Sequence, residues 1–287
     1  MQITNEEYTK YRPLLFSLGY RLLGSVKDVE DLVQETFLRA YQINEDKVEN
    51  KKAYLCKVMT NCCLDLLKSA RFRREQYIGP WLPEPLWPDH LKENDPSEAA
   101  IQKEGLSIAY LRMMENLFPH ERAVFLLREV FGFSYTEIAS FIEKQESSCR
   151  QLNSRAKKKL AAVSAESLDY ENNKKLILRF INAFQTKNTT ELLELVSEEV
   201  ILYSDGGGIV KAAIRPIISS LNVLSFLFGI TKKMPDDFIF EVKRINGQPA
   251  IVNRINGELH SVISFYISND RIKEIYMLLN PEKLNHK

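Results

Sequence analysis

The 287-residue chain has no apolar stretch near the roughly 18 residues that a membrane-spanning helix needs. Its most apolar run, 217–230, is interrupted by Ser219, Ser220, Asn222 and Ser225. Met1–Tyr11 is polar and carries no signal-peptide pattern, so no membrane association is expected and a cytoplasmic location is. Cysteine and histidine are scarce, four of each, and neither CxxC nor HxxxH spacing occurs. That argues against a zinc site or a disulfide frame and leaves Cys56, Cys62, Cys63 and Cys149 as small buried thiols. No metal and no organic cofactor is expected. There is little net charge either, only +1, which excludes a uniformly basic or acidic protein.

Charge is nevertheless uneven along the chain. Residues 147–160 hold five basic residues and no acid, whereas 76–111 hold two bases and six acids. Residues 161–287 balance at fifteen of each. A locally basic segment in a neutral chain points to a polyanion meeting one face. Four regions follow from pattern and punctuation. Residues 1–75 read as helices. Residues 76–96 form a connector with five prolines and both tryptophans. Residues 97–163 are helical again. Residues 170–287 begin with helices and then alternate with period two, as in Phe238, Phe240, Val242 and Ile263, Phe265, Ile267. Asn246-Gly247, Asn256-Gly257 and Asn269-Asp270 mark reversals between strands, so this region reads as α+β with an antiparallel meander.

Three helical segments carry the chemistry. In 28–41, Val29, Leu32, Val33, Phe37 and Ala40 form one apolar stripe. The outer face, with Asp31, Gln34, Glu35 and Arg39, is free to dock a large protein. In the next segment Leu55, Val58, Met59, Cys62 and Leu66 point inward. Asn61, Asp65, Lys68 and Arg71 lie elsewhere and combine amide, carboxylate and cations suited to exposed bases and phosphates. In the third, Ser134 and Glu137 make a capping box that opens a short helix. A basic helix follows from about Glu146, with Cys149, Leu152, Ala156 and Leu160 inward. One bracing helix followed by one basic helix is what a helix-turn-helix requires for the major groove.

In this order the segments resemble region 2 and region 4 of sigma factors, most closely the extracytoplasmic-function group. The residues that carry the resemblance are Tyr20–Ser25, Asp31–Phe37, Asn61 with Asp65, Ser134–Ala139 and Arg155–Lys157. Gly79–Pro85, Asp205–Gly208 and Asn280–Leu284 are similar to the SigJ-like subgroup, which fuses the sigma core to a SnoaL-like cone of the NTF2 type. Three positions depart from the pattern: Glu143 stands where the turn usually carries Gly, Gln145 where Ser is common, and Ile209 where the subgroup tends to place Lys after the three glycines, with Lys211 two further on.

The resemblance implies a multidomain protein. Two all-α sigma domains, 1–75 and 97–163, flank a linker at 76–96, and an α+β NTF2/SnoaL-like cone occupies 170–287. It implies core RNA polymerase and promoter DNA as partners. Asp31, Gln34, Glu35 and Arg39 are expected on the polymerase, and Asn61, Asp65, Lys68 and Arg71 at the −10 element. For the −35 element, Arg150 and Gln151 are placed at the base edges and Arg155, Lys157 and Lys158 at the phosphates, with Ser154 on the same −35 face. Regulation is expected through contact of the C-terminal domain with the sigma core, at Trp81, Leu82, Pro83, Asp205, Gly206, Gly207, Gly208, Asn280 and Pro281. No catalysed reaction is expected. A simple repressor would explain the helix-turn-helix but leaves 28–41 and 61–74 without a role. An enzyme reading would make Asp205 a pocket base assisted by Tyr203, Tyr266 or Tyr276. Against it, Asp205 reads as a turn former beside three glycines.

Overall fold

The computed structural model describes residues 3–43, 48, 50–75, 77–88, 106–161, 168–235 and 237–284, with the side chains of 70–75 outside that description. The chain forms two compact units. The first comprises Met1–Glu75, Lys92–Glu104 and Leu111–Val163, and the second Gln76–Leu91, Gly105–Tyr110 and Ser164–Lys287.

In the first unit, α1 (Asn5–Leu23) opens on a capping box in which the Glu7 amide donates to Thr4 Oγ1 and the Thr4 amide to Glu7. It closes on Gly24 in the left-handed conformation (φ 69°). Next come α2 (Val26–Tyr41), capped by Ser25, and the long α3 (Lys51–Glu75). Of the expected stripe on α2, Val29, Val33, Phe37 and Ala40 are buried. On α3, Leu55, Cys56, Met59, Cys63 and Leu64 are buried, so this helix is covered on more than one side. Burial pushes the Cys56 thiol up to about 12, which leaves it an unreactive core group.

The next helices are α4 (Ile108–Met114), of which Leu111–Met114 belongs to this unit, α5 (Pro119–Phe125), α6 (Tyr135–Ile142) and α7 (Glu146–Ala161). A π-helical turn, Leu126–Val130, extends α5. The capping box at Ser134 is present, with the Glu137 amide 3.2 Å from Ser134 Oγ and the Ser134 amide 2.8 Å from Glu137 Oε2. Glu143 takes the left-handed position after α6 at φ 54°, where a Cβ costs about 1 kcal/mol relative to glycine. Helices 100 residues apart in the sequence pack together here: the buried Arg122 guanidinium donates to the Leu22 carbonyl at 2.7 Å.

The second unit contains α8 (Tyr170–Gln185), α9 (Thr189–Leu195), β1 (Val196–Asp205), β2 (Ile217–Ile218), α10 (Ser220–Thr231), β3 (Ile239–Ile245), β4 (Gln248–Ile255), β5 (Glu258–Ser268), β6 (Arg271–Leu278) and α11 (Pro281–Leu284). The sheet order is β2-β1-β6-β5-β4-β3. As expected for hairpin turns, Asn246-Gly247, Asn256-Gly257 and Asn269-Asp270 all have positive φ. The meander holds for β3 to β6, but β1 pairs parallel with β6, with Tyr203 opposite Tyr276 and Asp205 opposite Leu278. This is the α+β, NTF2/SnoaL-like arrangement.

Both faces of the sheet are covered. Leu202, Ile251, Phe265, Ile275 and Met277 join Ile177, Phe180, Val223 and Leu227 of the helices in one apolar core. Residues one step out of phase turn to the other face. There Val262, Ser264, Tyr276 and Leu278 line one small cavity together with Leu82, Pro83 and Pro85 of the linker, and Ile108. The Pro-rich segment therefore lies along this strand face, and Leu82, Leu86 and Trp87 are buried. Full burial of each contributes on the order of 2 kcal/mol.

Candidate nucleic-acid interface and linker clamp

The two helices α6 and α7 have the form of a helix-turn-helix. Cys149 and Ala156 of α7 are buried and Leu152 and Leu160 half-buried, as their spacing requires. Asn153, on the same side, is buried too. Its amide donates to Glu129 Oε1 and to Tyr135 Oη, each at 2.8 Å. Arg150, Gln151, Ser154, Arg155, Lys157 and Lys158 are all exposed on one helix. They are not equivalent. Lys157 pairs with Glu129 at 2.8 Å, and that contact holds the Glu129 carboxyl below the usual range. Arg150 pairs with Glu146 and lies 4.5 Å from the centre of the Tyr135 ring. Lys159 is tied to the buried Glu121 at 2.6 Å. Lys158 pairs with no acid among the described residues.

On α2, Asp31, Gln34 and Arg39 are exposed and Glu35 is partly so, with Arg39 Nη2 2.6 Å from Glu35 Oε1. Leu38 and Tyr41 add exposed apolar area at the same end, which the stripe on α2 does not reveal. On α3, Asp65 and Lys68 are exposed and paired at 2.9 Å, while Asn61 is half-buried. The side chain of Arg71 lies outside the described residues.

Most of the residues expected to regulate meet around one carboxylate. Asp205 has no exposed surface. Its Oδ1 accepts from Tyr77 Oη (2.6 Å) and the Gly207 amide (3.1 Å). Its Oδ2 accepts from the Leu82 amide (2.8 Å) and Lys283 Nζ (2.7 Å). Its carbonyl receives the Leu279 and Asn280 amides. Lys283 also donates to the Leu82 carbonyl at 2.7 Å, and its ammonium lies 4.1 Å from the Trp81 ring and 5.0 Å from that of Tyr77. One buried lysine thus holds both a linker peptide and the carboxylate that binds the same residue's amide. Burial, then the Asp205 carboxylate, push the Tyr77 hydroxyl well above its ordinary range.

The glycines follow from this crowding. A Cβ on Gly206 would stand 2.4 Å from the Val210 carbonyl oxygen. One on Gly207, at φ +63°, would meet Asn280 Nδ2 at 2.3 Å. Pro281 opens α11, the short helix that delivers Lys283. A second anchor sits at the β3–β4 turn. Asn246 Oδ1 accepts from the Leu86 amide, its own amide donates to the Leu86 carbonyl, and Nδ2 donates to Leu106.

Asp205 is therefore more than a turn former. Parallel pairing with β6 turns it, with Tyr203 and Tyr276, to the linker face and away from the apolar core. Both carboxylate oxygens are occupied, which is not the arrangement of a pocket base. Tyr77, Lys283 and Asn246 also belong to the clamp; Lys283 lies in the Asn280–Leu284 string, whereas Tyr77 and Asn246 had no local signal as binding residues.

Residues 8–73 match the Sigma-70 region 2 family and residues 107–160 the Sigma-70 region 4 family. The ECF RNA polymerase sigma factor SigJ of Mycobacterium tuberculosis is 32% identical over 230 residues, covering 79% of this chain and 73% of its own. The chain belongs to the extracytoplasmic-function sigma factors. A probable sigma factor of the group from the same species, SigI, is 30% identical over 280 residues, covering 96% of this chain and 92% of its own. The crystal structure of M. tuberculosis SigJ aligns with 98% of each chain at a TM-score of 0.78 and 25% identity. This sigma factor has its region 2 on α1–α3 and its region 4 on α4–α7, with an α+β unit following. Among the described residues no helix is long and apolar enough to cross a membrane, and no cluster of potential metal ligands occurs.

Proposed function

We propose that the chain is an alternative sigma factor that docks on core RNA polymerase through α2 and melts and reads promoter DNA through α3 and α7. In this reading Asp31, Gln34, Glu35 and Arg39 contact the polymerase. Asn61, Asp65, Lys68 and Arg71 capture −10 bases and phosphates. Arg150, Gln151 and Ser154 read −35 base edges, and Arg155, Lys157 and Lys158 hold phosphates. The observation that carries it is the division of α7 into a buried side and a basic exposed side, behind a capped bracing helix.

The C-terminal unit sets the activity by holding the linker that joins regions 2 and 4. Four donors on one buried Asp205, two of them from the linker (Tyr77 and Leu82) and one from α11 (Lys283), support this role. The test is transcription in vitro with core polymerase and a genomic promoter pool. Promoter-specific transcripts from the full chain are expected, and their absence from every promoter sinks the reading. Lys283→Met, verified as folded, should change transcript yield several-fold at equal protein concentration. An unchanged yield refutes control through the linker.

A further inference from the structure

Arg150 is an exposed side chain, 61% accessible, yet it is held from two sides. An arginine on a helix surface ordinarily samples many rotamers, and fixing it has an entropic cost. Here Nη2 donates to Glu146 one turn earlier, and Glu146 in turn accepts from Thr136 Oγ1 at 3.3 Å. The guanidinium carbon lies 4.5 Å from the centre of the Tyr135 ring. The ring is itself fixed, because Tyr135 Oη accepts from Asn153, a side chain only 2% exposed and also bonded to Glu129. A second guanidinium, that of Arg128, lies 4.9 Å from the same ring, but its Nη1 is committed to the Phe133 carbonyl at 3.0 Å. Glu146 takes one Nη2 donor of Arg150, and the other guanidinium donors carry no partner among the described residues, leaving donors of a planar fork for guanine O6 and N7.

We propose that Tyr135 is a positioning residue for promoter readout: its ring face and Glu146 pre-set Arg150 to select a guanine at one −35 base pair. The proposal rests on the reading of α7 as the −35 helix. It gives Tyr135, the first residue of α6, a part in sequence choice although it lies on the bracing helix.

The test is competition binding of the full chain, assembled with core polymerase, to duplexes varied one −35 position at a time. Arg150→Ala should lose roughly tenfold discrimination or more at one base pair. Tyr135→Leu should lose several-fold at that same pair and leave the salt dependence unchanged. The double variant should be no worse than Arg150→Ala, and Tyr135→Phe, which keeps the ring face, should keep most of the discrimination. If Tyr135→Leu weakens all sequences equally, or adds fully to Arg150→Ala, Tyr135 acts only in folding and the proposal fails. If Arg150→Ala relaxes discrimination and Tyr135→Leu does not, the proposal alone is overturned. If Arg150→Ala changes no preference, the assignment of the −35 face falls with it.

Discussion

Replacing Lys283 with methionine keeps the buried stem and removes the ammonium from the clamp. Asp205 is fully buried and Lys283 only 7% exposed, so water does not take the place of the lost partner. Breaking a buried pair from one side costs about 3–5 kcal/mol. Asp205 keeps three neutral donors, from Tyr77, Leu82 and Gly207, which places the loss near the lower end of that range. The hydrogen bond to the Leu82 carbonyl adds about 1 kcal/mol. A total of about 4 kcal/mol is close to a thousandfold in the folding equilibrium of this unit. Both tryptophans lie in the linker, so their emission reports this unit during urea unfolding. With a slope of roughly 2 kcal/mol/M, the midpoint should fall by about 2 M. Asp205→Asn combined with Lys283→Met removes both charges and should recover much of the loss, with a coupling above about 2 kcal/mol. A midpoint shift under about 0.5 M, or strictly additive single variants, would refute the reasoning.

Gly207→Ala should cost about 2–4 kcal/mol, because its Cβ adds a collision with Asn280 to the left-handed penalty. Gly247→Ala, with similar φ and nothing within 4 Å of the added Cβ, should cost only about 1–2 kcal/mol; equal melting shifts would contradict the contact. The Tyr77 hydroxyl is held up in the folded state, so its contribution is complete below the unfolded value of about 10 and is lost as pH rises past it. Wild type should therefore lose stability more steeply above about pH 10 than Tyr77→Phe, as read from urea midpoints at several pH values. Lys158→Ala should lower the log–log salt slope of DNA binding by about 0.9, and Lys157→Ala by less, since Lys157 already pairs with Glu129. Equal slopes for the two variants would mean that the Lys157–Glu129 pair does not persist near DNA.

Local signals in the sequence were followed where neighbours decide the outcome. The stripe on α2, the capping box at Ser134 and the three Asn turns depend on residues a few positions apart, and all are visible in spacing or residue type. The clamp is different. Whether Asp205 faces the apolar core or the linker is decided by its parallel register with β6, and β6 begins 66 residues later. Lys283 reads as one more charge in a short polar tail until α11 turns it under Trp81. The inward side of α7 was legible from Cys149 and Ala156, but Asn153 was not, because its burial depends on Glu129 and Tyr135 from two other elements.

Leu82 and Lys283, which share a hydrogen bond, are 201 residues apart. A ribosome adding about 5–20 residues per second reaches the lysine roughly 10–40 s after the leucine. During that interval α4–α7 are made and join α1–α3, while the linker has neither its strand surface nor its ammonium partner. Every newly made molecule passes through such a stage, and its duration is set by the speed of synthesis. A chain that terminates only a few residues early, before 283, never leaves it.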